Sequence, residues 1–444
     1  MNGGGGFANA AGNRQNARTC MSHSWKKQMA LVWASQFLSI MGFAFALPFA
    51  PYFLQQELGI VRHGELQLWV ALFSASTAVT MGLAAPLWGL LADRYGKRVM
   101  LIRANLAGAV VMSLMGGVQT PVMLIVLRLL QGALTGTMTA AQAFLAGEMP
   151  HERRGLAVGG LSAAVFSGTM AGVSIGGFVA DWLGYRAAFA ASGVLLLSAG
   201  LLVLCCTRET AGPARRNRVA DGSPDSARVH WRDLPTALYG VLAMFGAIAF
   251  VRQFDVAFLP LLVQEIHGTL DGVSLWSGGL NAFGSLAGLL AGLATGWLSD
   301  RVNPLRMVIG AALAAAVFSG WQMAIHSFWL LFPVRFGAVF FAGALEPALN
   351  AWLAKRVPES RQGVAFGLAS TTRSFGWAVG PLVAGGVAAL NLRVVFGAAG
   401  IGYALLALLF TVAVRVRRDN AGRRRNGLPG TTGRGILPGR EKTS

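Results

Sequence analysis

Charged residues are scarce in this chain of 444 residues, of which Asp, Glu, Lys and Arg together make up only 12%. Soluble domains carry about 25% charged residues, and apolar residues here reach 54%. A soluble protein of this composition would expose large apolar patches to water. The composition therefore excludes an ordinary soluble domain and favours a membrane protein.

Cysteine and histidine are also rare, with 3 and 6 residues respectively. Cys20, Cys205 and Cys206 give neither the spacing of a disulfide framework nor that of a metal site. The histidines form no metal-binding or catalytic cluster in the sequence, and no phosphate-binding P-loop is present. The sequence therefore predicts no metal and no cofactor. Its short loops leave no room for the active site of a membrane-bound enzyme.

Long apolar runs are abundant. A helix needs about 20 apolar residues to cross a bilayer core about 30 Å thick, and twelve runs meet this length. They predict an all-α integral membrane protein with 12 transmembrane helices, because backbone polar groups in hydrocarbon need partners within the protein. The predicted spans are 28–51, 67–91, 99–117, 121–147, 156–183, 187–206, 236–264, 275–298, 306–324, 328–355, 363–388 and 394–416.

One long polar stretch divides these runs six and six. Residues 208–235, rich in Arg, Asp, Pro and Ser, are typical of a linker. They separate an N-terminal six-helix bundle, 28–207, from a C-terminal six-helix bundle, 236–416. The Gly- and Asn-rich start, 1–27, and the basic end, 417–444, are predicted to be tails without regular structure.

The two bundles repeat each other at a nearly constant offset. The segments "GLLADRYGKR" (89–98) and "GWLSDRVNPLR" (296–306) begin 207 residues apart, and Arg128 and Arg335 have the same separation. Duplicated helical units are typical of secondary transporters. The repeat therefore predicts two pseudo-symmetric six-helix bundles.

The basic residues predict the orientation in the membrane. With an even number of spans, both tails and the linker lie on one side, which holds most of the 37 Lys and Arg residues, whereas Arg62, Arg186 and Arg393 lie on the other. The positive-inside rule then places both termini in the cytoplasm. The net charge of +19 reflects this topology and attraction to anionic lipid, which disfavours nucleic acid as a partner.

Several segments resemble motifs of the major facilitator superfamily. "GLLADRYGKR" looks like its loop signature between helices two and three, and "LRLLQG", which contains Arg128, is similar to its fourth-helix motif. "GTMAGVSIGG" (168–177) resembles the fifth-helix motif of drug:proton antiporters, with Val173 where a proline is expected. "GWAVGPLVAGG" (376–386) has that proline as Pro381. Within this group the chain most resembles the MdtG-type multidrug exporters.

The resemblance implies alternating access, in which two bundles rock around a central cavity and proton entry drives a small molecule outward. It implies a bacterial inner-membrane protein, expected to be a monomer, that exports hydrophobic, amphipathic or cationic drugs. A helix-packing role is implied for Gly168, Gly172, Gly176, Gly177, Gly380 and Pro381.

The loop signature is interpreted as a cytoplasmic gate. The resemblance implies that Asp93 latches the two bundles in the outward-facing state, with Arg153 or Arg154 as its partner. The second copy lacks the final "GKR", so its latch is expected to be weaker. The predicted gating residues are Gly89, Asp93, Arg94, Gly96, Lys97, Arg98, Asp300 and Arg301.

Glu346 is the first candidate for proton coupling, because a charge inside a span is costly and marks a functional position. An apolar site favours the neutral form of a carboxyl group, and Pro347 can kink the helix beside it. Arg373 is a candidate counter-charge or a site for an anionic substrate. The alternative is that Glu346 pairs with an arginine for folding only. In MdtG-like relatives an acid is expected nearer Ala342, which leaves the role of Glu346 open.

Three further charges inside spans complete the predicted coupling site. Arg252 and Asp255 lie three residues apart on one helical face and can form a local ion pair. For Arg128 the resemblance implies a part in proton coupling through a nearby acid, and the alternative is that it snorkels to the outer interface. The same alternative is favoured for Arg335.

Two other functions stay open at this level. A carrier of sugars, siderophores or other metabolites would favour many polar side chains within the spans, and this chain has few. A non-transporting receptor or adaptor is disfavoured by the loop signature and by Glu346. The main uncharged polar residues of the spans are Gln36, Gln131, Gln142, Asn281 and Asn350.

Overall fold

The computed structural model describes residues 5–148, 154–207, 236–299, 301–357 and 359–426. In this part of the chain the regular structure is helical and no strand occurs. The predicted linker, 208–235, and the last residues, 427–444, lie outside the described residues.

The N-terminal half consists of helices separated by proline and glycine. Pro48 lies in a short 3-10 turn, Leu47–Phe49, after the first helix, and Gly136, with φ +128°, interrupts the fourth predicted span. A residue with a side chain rarely adopts such a φ. The helices are α1 (Gly5–Ala46), α2 (Ala50–Gln56), α3 (Glu65–Tyr95), α4 (Lys97–Gly116), α5 (Pro121–Leu134), α6 (Thr137–Glu148), α7 (Arg154–Leu183) and α8 (Tyr185–Cys206).

The C-terminal half follows the same order with fewer breaks. Pro260, Pro333, Pro347 and Pro381 all lie inside helices that continue past them. The helices are α9 (Thr236–His267), α10 (Val273–Ser299), α11 (Pro304–Trp321), α12 (Phe328–Arg356), α13 (Glu359–Leu390) and α14 (Leu392–Asn426).

The predicted spans correspond to these helices. Among the described residues, 11 helices are long and apolar enough to cross a membrane. The helix in the remaining position is α13, which begins with a polar turn and carries Arg373. The prediction that both tails lack regular structure is wrong in part, since α1 already begins at Gly5 and α14 continues to Asn426.

Helix packing confirms the duplication. In the N-terminal half α1 packs against α7 and α8, and α3 packs against α5. In the C-terminal half α9 packs against α13 and α14, and α10 packs against α12. The halves meet mainly through two helix pairs, α7 with α10 and α3 with α13. The protein is therefore an all-α bundle of two pseudo-symmetric halves.

Glycines at four-residue spacing bring the paired helices together in both halves. A Cβ atom at Gly168 would lie 2.7 Å from the carbonyl oxygen of Phe37, and one at Gly172 would lie 2.6 Å from that of Met41. At Gly380 a Cβ atom would lie 2.7 Å from the carbonyl oxygen of Phe250. Real Cβ atoms do not approach oxygen so closely, so these crossings of α1 with α7 and of α9 with α13 depend on glycine.

Arg186 ties three helices together at one end of the N-terminal half. Its Nε donates to Glu57 Oε2 at 2.6 Å, and its Nη1 donates to the carbonyls of Gly116 and Val118 at 3.0 and 3.2 Å. The guanidinium thus satisfies carbonyls that the end of α4 leaves without intrahelical partners.

Arg393 makes the same contacts in the C-terminal half, 207 residues later. Its Nε donates to Glu265 Oε1 at 2.7 Å, and its Nη1 donates to the carbonyls of Met323 and Ile325 at 3.2 and 2.7 Å. Two of the three basic residues that the positive-inside rule leaves on the outer side therefore have a structural role.

Replacing Arg186 by lysine should lower the thermal midpoint of the detergent-purified protein by a few degrees, because the ammonium group cannot make all three contacts in this geometry. Arg393→Lys should have a similar effect. The measurement is size-exclusion chromatography after heating, and Arg62→Lys is the matched control on an exposed loop. An unchanged midpoint in both variants would contradict the assigned role.

Candidate functional site

A central cavity of about 430 Å³ lies between the two halves. Residues of α2, α3, α5 and α7, with Leu47 and Pro48, form its N-terminal wall, and residues of α9, α10 and α13 form its C-terminal wall. Apolar side chains predominate, including Phe73, Met81, Val256 and Trp377. Its uncharged polar side chains are Ser74, Thr77, Thr169, Gln253, Asn281 and Ser285.

Hydrogen bonds between the halves close one end of this cavity. We call it the outer end, and it is the end at which α4 meets α5 and α9 meets α10. The Tyr52 hydroxyl donates to the carbonyl of Pro260 at 2.6 Å. Gln55 and Gln264 form a reciprocal amide pair, in which each Nε2 lies 2.8 Å from the other Oε1. These contacts join α2 to α9.

Asp181 adds a second closing contact at the outer end. It lies on α7, and its carboxylate accepts from the backbone amides of Ser274 at 3.3 Å and Leu275 at 2.8 Å. Both amides belong to the first turn of α10, where helices have unpaired N–H groups and favour negative charge. The hydroxyls of Tyr185 and Ser274 lie 2.8 Å apart. One half thus caps a helix of the other.

Toward the inner end, where α3 meets α4, the two halves separate. On α3 and α13, a Cβ atom at Gly385 would lie 2.5 Å from Ala71, and one at Gly82 would lie 3.7 Å from Ser374. The same antiparallel register brings Gly89 opposite Gly367, five turns from the first contact and on the same helical faces. A Cβ atom at either glycine would have no described heavy atom within 4 Å.

The other interhelical pair behaves in the same way. A Cβ atom at Gly177 would overlap the carbonyl oxygen of Ser274, and one at Gly278 would overlap that of Val173. Farther along this register, a Cβ atom at Gly288 would still lie 2.8 Å from the Phe166 ring, whereas one at Gly292 would have no described neighbour within 4 Å. The cavity is therefore closed at the outer end, and in both helix pairs the described contacts at these glycines end before the inner end.

Arg128 lines the central cavity from α5. Its Nε donates to the carbonyl of Phe73 at 3.2 Å, its Nη1 donates to Gln131 Oε1 at 2.6 Å, and the guanidinium lies 4.2 Å from the centre of the Phe73 ring. The side chain is 8% exposed, so the alternative in which it snorkels to the interface is wrong. No carboxylate among the described residues lies within ion-pair distance of it.

Asp255 pairs with Arg335 and not with Arg252. The Arg335 Nη1 lies 2.6 Å from Asp255 Oδ2, and both side chains are almost completely buried. The predicted local pair is wrong because Arg335 reaches inward from α12 and is a closer partner. The expectation that Arg335 snorkels outward is wrong for the same reason. Arg252 is half-buried on α9.

Glu346 and Arg373 form the second charged pair of the C-terminal half, with Arg373 Nη1 3.3 Å from Glu346 Oε2. Their side chains are 15% and 23% exposed, so both are mostly buried but remain partly accessible to solvent. Glu346 Oε1 is buried and has no hydrogen-bond partner. The buried hydroxyl of Tyr403 also lacks one.

The structure describes only some of the predicted gating residues. Gly96, with φ +95°, ends α3 and begins α4, and Arg98 Nη2 donates to the carbonyl of Leu204 at 2.6 Å, within the N-terminal half. Arg94 is exposed beside Tyr95, Lys97 is half-buried at the start of α4, and Arg301 lies 3.9 Å from the ring centre of Trp297.

The predicted latch cannot be located. Arg153 and Asp300 lie outside the described residues, as do the side chains of Asp93 and Arg154.

Several residues of the site were not predicted. Tyr52, Asp181 and Tyr403 look unremarkable in the sequence, because a tyrosine or an acid near a helix end is ordinary. The one available signal was the repeat, since Gln55 and Gln264 occupy matching positions in the two halves. Within the described part of the chain, no group of three His, Cys, Asp or Glu residues could hold a metal ion.

Comparison with known proteins places these features in context. A family model described as Major Facilitator Superfamily matches residues 32–321 and 256–438. The multidrug resistance protein MdtG of Citrobacter koseri is 30% identical over 380 residues, which cover 84% of this chain and 91% of that protein. MdtG of Salmonella arizonae is also 30% identical, with 84% and 92% covered.

Solved structures share the fold at low sequence identity. A bacterial homologue of the human lysosomal transporter Spinster, in an inward-facing and occupied conformation, superposes with a TM-score of 0.67 at 15% identity, covering 87% of this chain and 96% of that one. The nucleoside transporter NupG superposes with a TM-score of 0.70 at 12% identity, covering 87% and 99%.

Proposed function

Because the chain belongs to the major facilitator superfamily, we propose that it is a secondary exporter of amphipathic small molecules, driven by proton antiport through alternating access. It is a multi-pass membrane transporter and not an enzyme. The proposed location is the bacterial inner membrane, with both termini in the cytoplasm and the inner end of the bundle facing it.

The cavity between the halves carries this proposal. It is closed at the outer end by Tyr52, Gln55 and Asp181, and near the inner end Gly89, Gly367 and Gly292 have no described neighbour across the two halves. A substrate arriving from the inner side can enter it, and release on the other side requires those closing contacts to break. The glycine faces around Gly89 and Gly367 then provide surfaces that can come together at the inner end.

The lining of the cavity supports an amphipathic substrate. Its walls are mainly apolar and aromatic, and a few hydroxyl and amide groups are distributed around it. Apolar walls with a small number of polar groups are typical of sites for small organic molecules. A sugar would leave many hydroxyl groups without partners there, which disfavours a sugar carrier.

Proton coupling is assigned to the buried acids of the C-terminal half. Glu346 is partly accessible and is held by one contact to Arg373. Protonation of Glu346 would therefore leave the Arg373 guanidinium without its counter-charge inside the protein. Asp255 is more deeply buried beside Arg335. Breaking either pair leaves a charge unneutralised at low dielectric, which is costly and can bias the balance between two conformations.

The proposal is tested by dye uptake into inverted membrane vesicles with an imposed pH gradient. Acidifying the interior should accumulate an amphipathic dye in vesicles that contain the protein, and a protonophore should abolish the accumulation. Vesicles with the Glu346→Gln variant, matched for protein amount, are the control. Accumulation that persists after the pH gradient collapses would refute proton antiport.

A further inference from the structure

Charge is distributed unequally between the two arginines that the repeat relates. Arg335 is neutralised by Asp255 at 2.6 Å, away from the cavity. Arg128 has only neutral oxygens as hydrogen-bond acceptors among its described contacts. Among the described residues that line the cavity, Arg128 alone carries a charge. The cavity is therefore electropositive at this point.

The repeat also shows where the missing carboxylate would stand. "FALPFAPYFLQQELG" (45–59) aligns with "FDVAFLPLLVQEIHG" (254–268) at an offset of 209, which pairs Pro51 with Pro260 and Gln55 with Gln264. Asp255 then corresponds to Ala46, which is buried and adjoins cavity-lining Leu47. The N-terminal half has kept the arginine and has an alanine in place of its acid.

A buried cation without a counter-charge is costly, and it calls for an anion from another source. A guanidinium group is well suited to oxyanions, because its planar N–H groups match two oxygens of a carboxylate, sulfonate or phosphate. Arg128 uses Nε and Nη1 for Phe73 and Gln131, which holds the guanidinium in place at the cavity wall. The remaining space beside it is the cavity itself.

We propose that Arg128 binds the anionic head of an amphipathic substrate, in the place that Asp255 occupies beside Arg335. This inference rests on the proposed function and deepens it by naming the substrate class. The ligand is a monoanion with an oxyacid head and an apolar body, and the body packs against side chains such as Phe73 and Trp377. This class retains the amphipathic substrates expected from the sequence and differs from the cationic drugs that the resemblance also implies.

Two dyes with the same aromatic body test the proposal. 8-Anilinonaphthalene-1-sulfonate carries a sulfonate that N-phenyl-1-naphthylamine lacks, and binding of each to purified protein is measured by equilibrium dialysis against protein-free micelles. We expect the sulfonate dye to bind at least about tenfold more tightly. Arg128→Gln should remove this preference and change the affinity for the uncharged dye by less than about twofold.

Restoring the missing acid provides an independent test. Ala46→Asp should neutralise Arg128 and weaken binding of the sulfonate dye as much as Arg128→Gln does, whereas Ala46→Asn, of similar size, should retain the preference. If the Ala46 variants do not fold, the Arg128→Gln comparison decides alone.

Equal affinities of the wild-type protein for the two dyes would overturn the proposal, as would an unchanged preference in Arg128→Gln. Vesicle uptake separates it from the proposed function. If the protein binds the sulfonate dye through Arg128 but moves neither dye under a pH gradient, the anion site is supported and proton antiport is refuted. If the pH gradient drives uptake of the uncharged dye and binding shows no preference for the anion, proton antiport is supported and the anion site is refuted.

Discussion

Replacing Glu346 by glutamine should reduce gradient-driven efflux to roughly one hundredth of the wild-type rate or less, while substrate still moves down its own gradient. Glutamine preserves the size of the side chain but cannot bind and release a proton. The ion pair of Glu346 with Arg373, 3.3 Å apart in the wild-type protein, is then replaced by a neutral amide beside Arg373, and position 346 stays in one protonation state. Because a charge without a partner is costly away from water, the protonation state at position 346 determines which of the two conformations is favoured. Vesicle uptake with and without a pH gradient distinguishes gradient-driven efflux from movement of the substrate down its own gradient.

The matched controls separate coupling from folding. Glu65→Gln removes an exposed acid at the start of α3 and should leave coupled efflux unchanged. Glu346→Asp retains a carboxyl group and should keep coupling at a reduced rate, which a merely structural glutamate would not predict. Wild-type coupled efflux in Glu346→Gln would give this pair a structural role. Asp255→Asn would then be the next variant to test.

An anionic substrate changes the energetics of such an exchange. A proton moving inward and a monoanion moving outward transfer charge in the same direction across the membrane. An inside-negative potential drives both movements, at about 2.3 kcal/mol per charge per 100 mV. The exchange of one for the other is therefore favoured by roughly 5 kcal/mol at 100 mV. By selecting a charged substrate, Arg128 would thus couple export to the membrane potential as well as supply a binding contact.

The helical architecture could be predicted because it depends on local composition. Apolar runs of sufficient length, short polar breaks and the repeat of Arg128 at Arg335 are all visible in one sequence. The glycines at 168 and 172 likewise have a spacing that places them on one helical face and predicts close packing, whereas their neighbours Phe37 and Met41 are known only from the structure.

The pairing of charges could not be predicted, because it depends on which helix faces meet. Arg252 lies near Asp255 in the sequence, yet Arg335, 80 residues away, is its partner. Sequence spacing restricts partners on one helix, whereas helix crossings bring together residues from different spans. The helix cap that Asp181 provides for α10 is unpredictable for the same reason, since the capped helix belongs to the other half.

Cross-linking the outer end should abolish transport completely, and a reducing agent should restore it. Cysteines at positions 55 and 264, in a background with Cys20, Cys205 and Cys206 changed to serine, replace the amide pair whose polar atoms lie 2.8 Å apart. A short bifunctional methanethiosulfonate would then join the two halves where they close the cavity. Alternating access requires this end to open in each cycle, so the joined protein should bind substrate from the inner side without releasing it.

Each single-cysteine variant, treated with the same reagent, is the control for modification without a link. It should retain most of its uptake activity, because one modified side chain does not hold the two halves together. Full activity in the cross-linked protein would mean that substrate leaves by a route that does not separate α1 and α2 from α9. The contacts of Tyr52 with Pro260 and of Asp181 with α10 would then be permanent parts of the fold, and the inner end alone would have to account for transport.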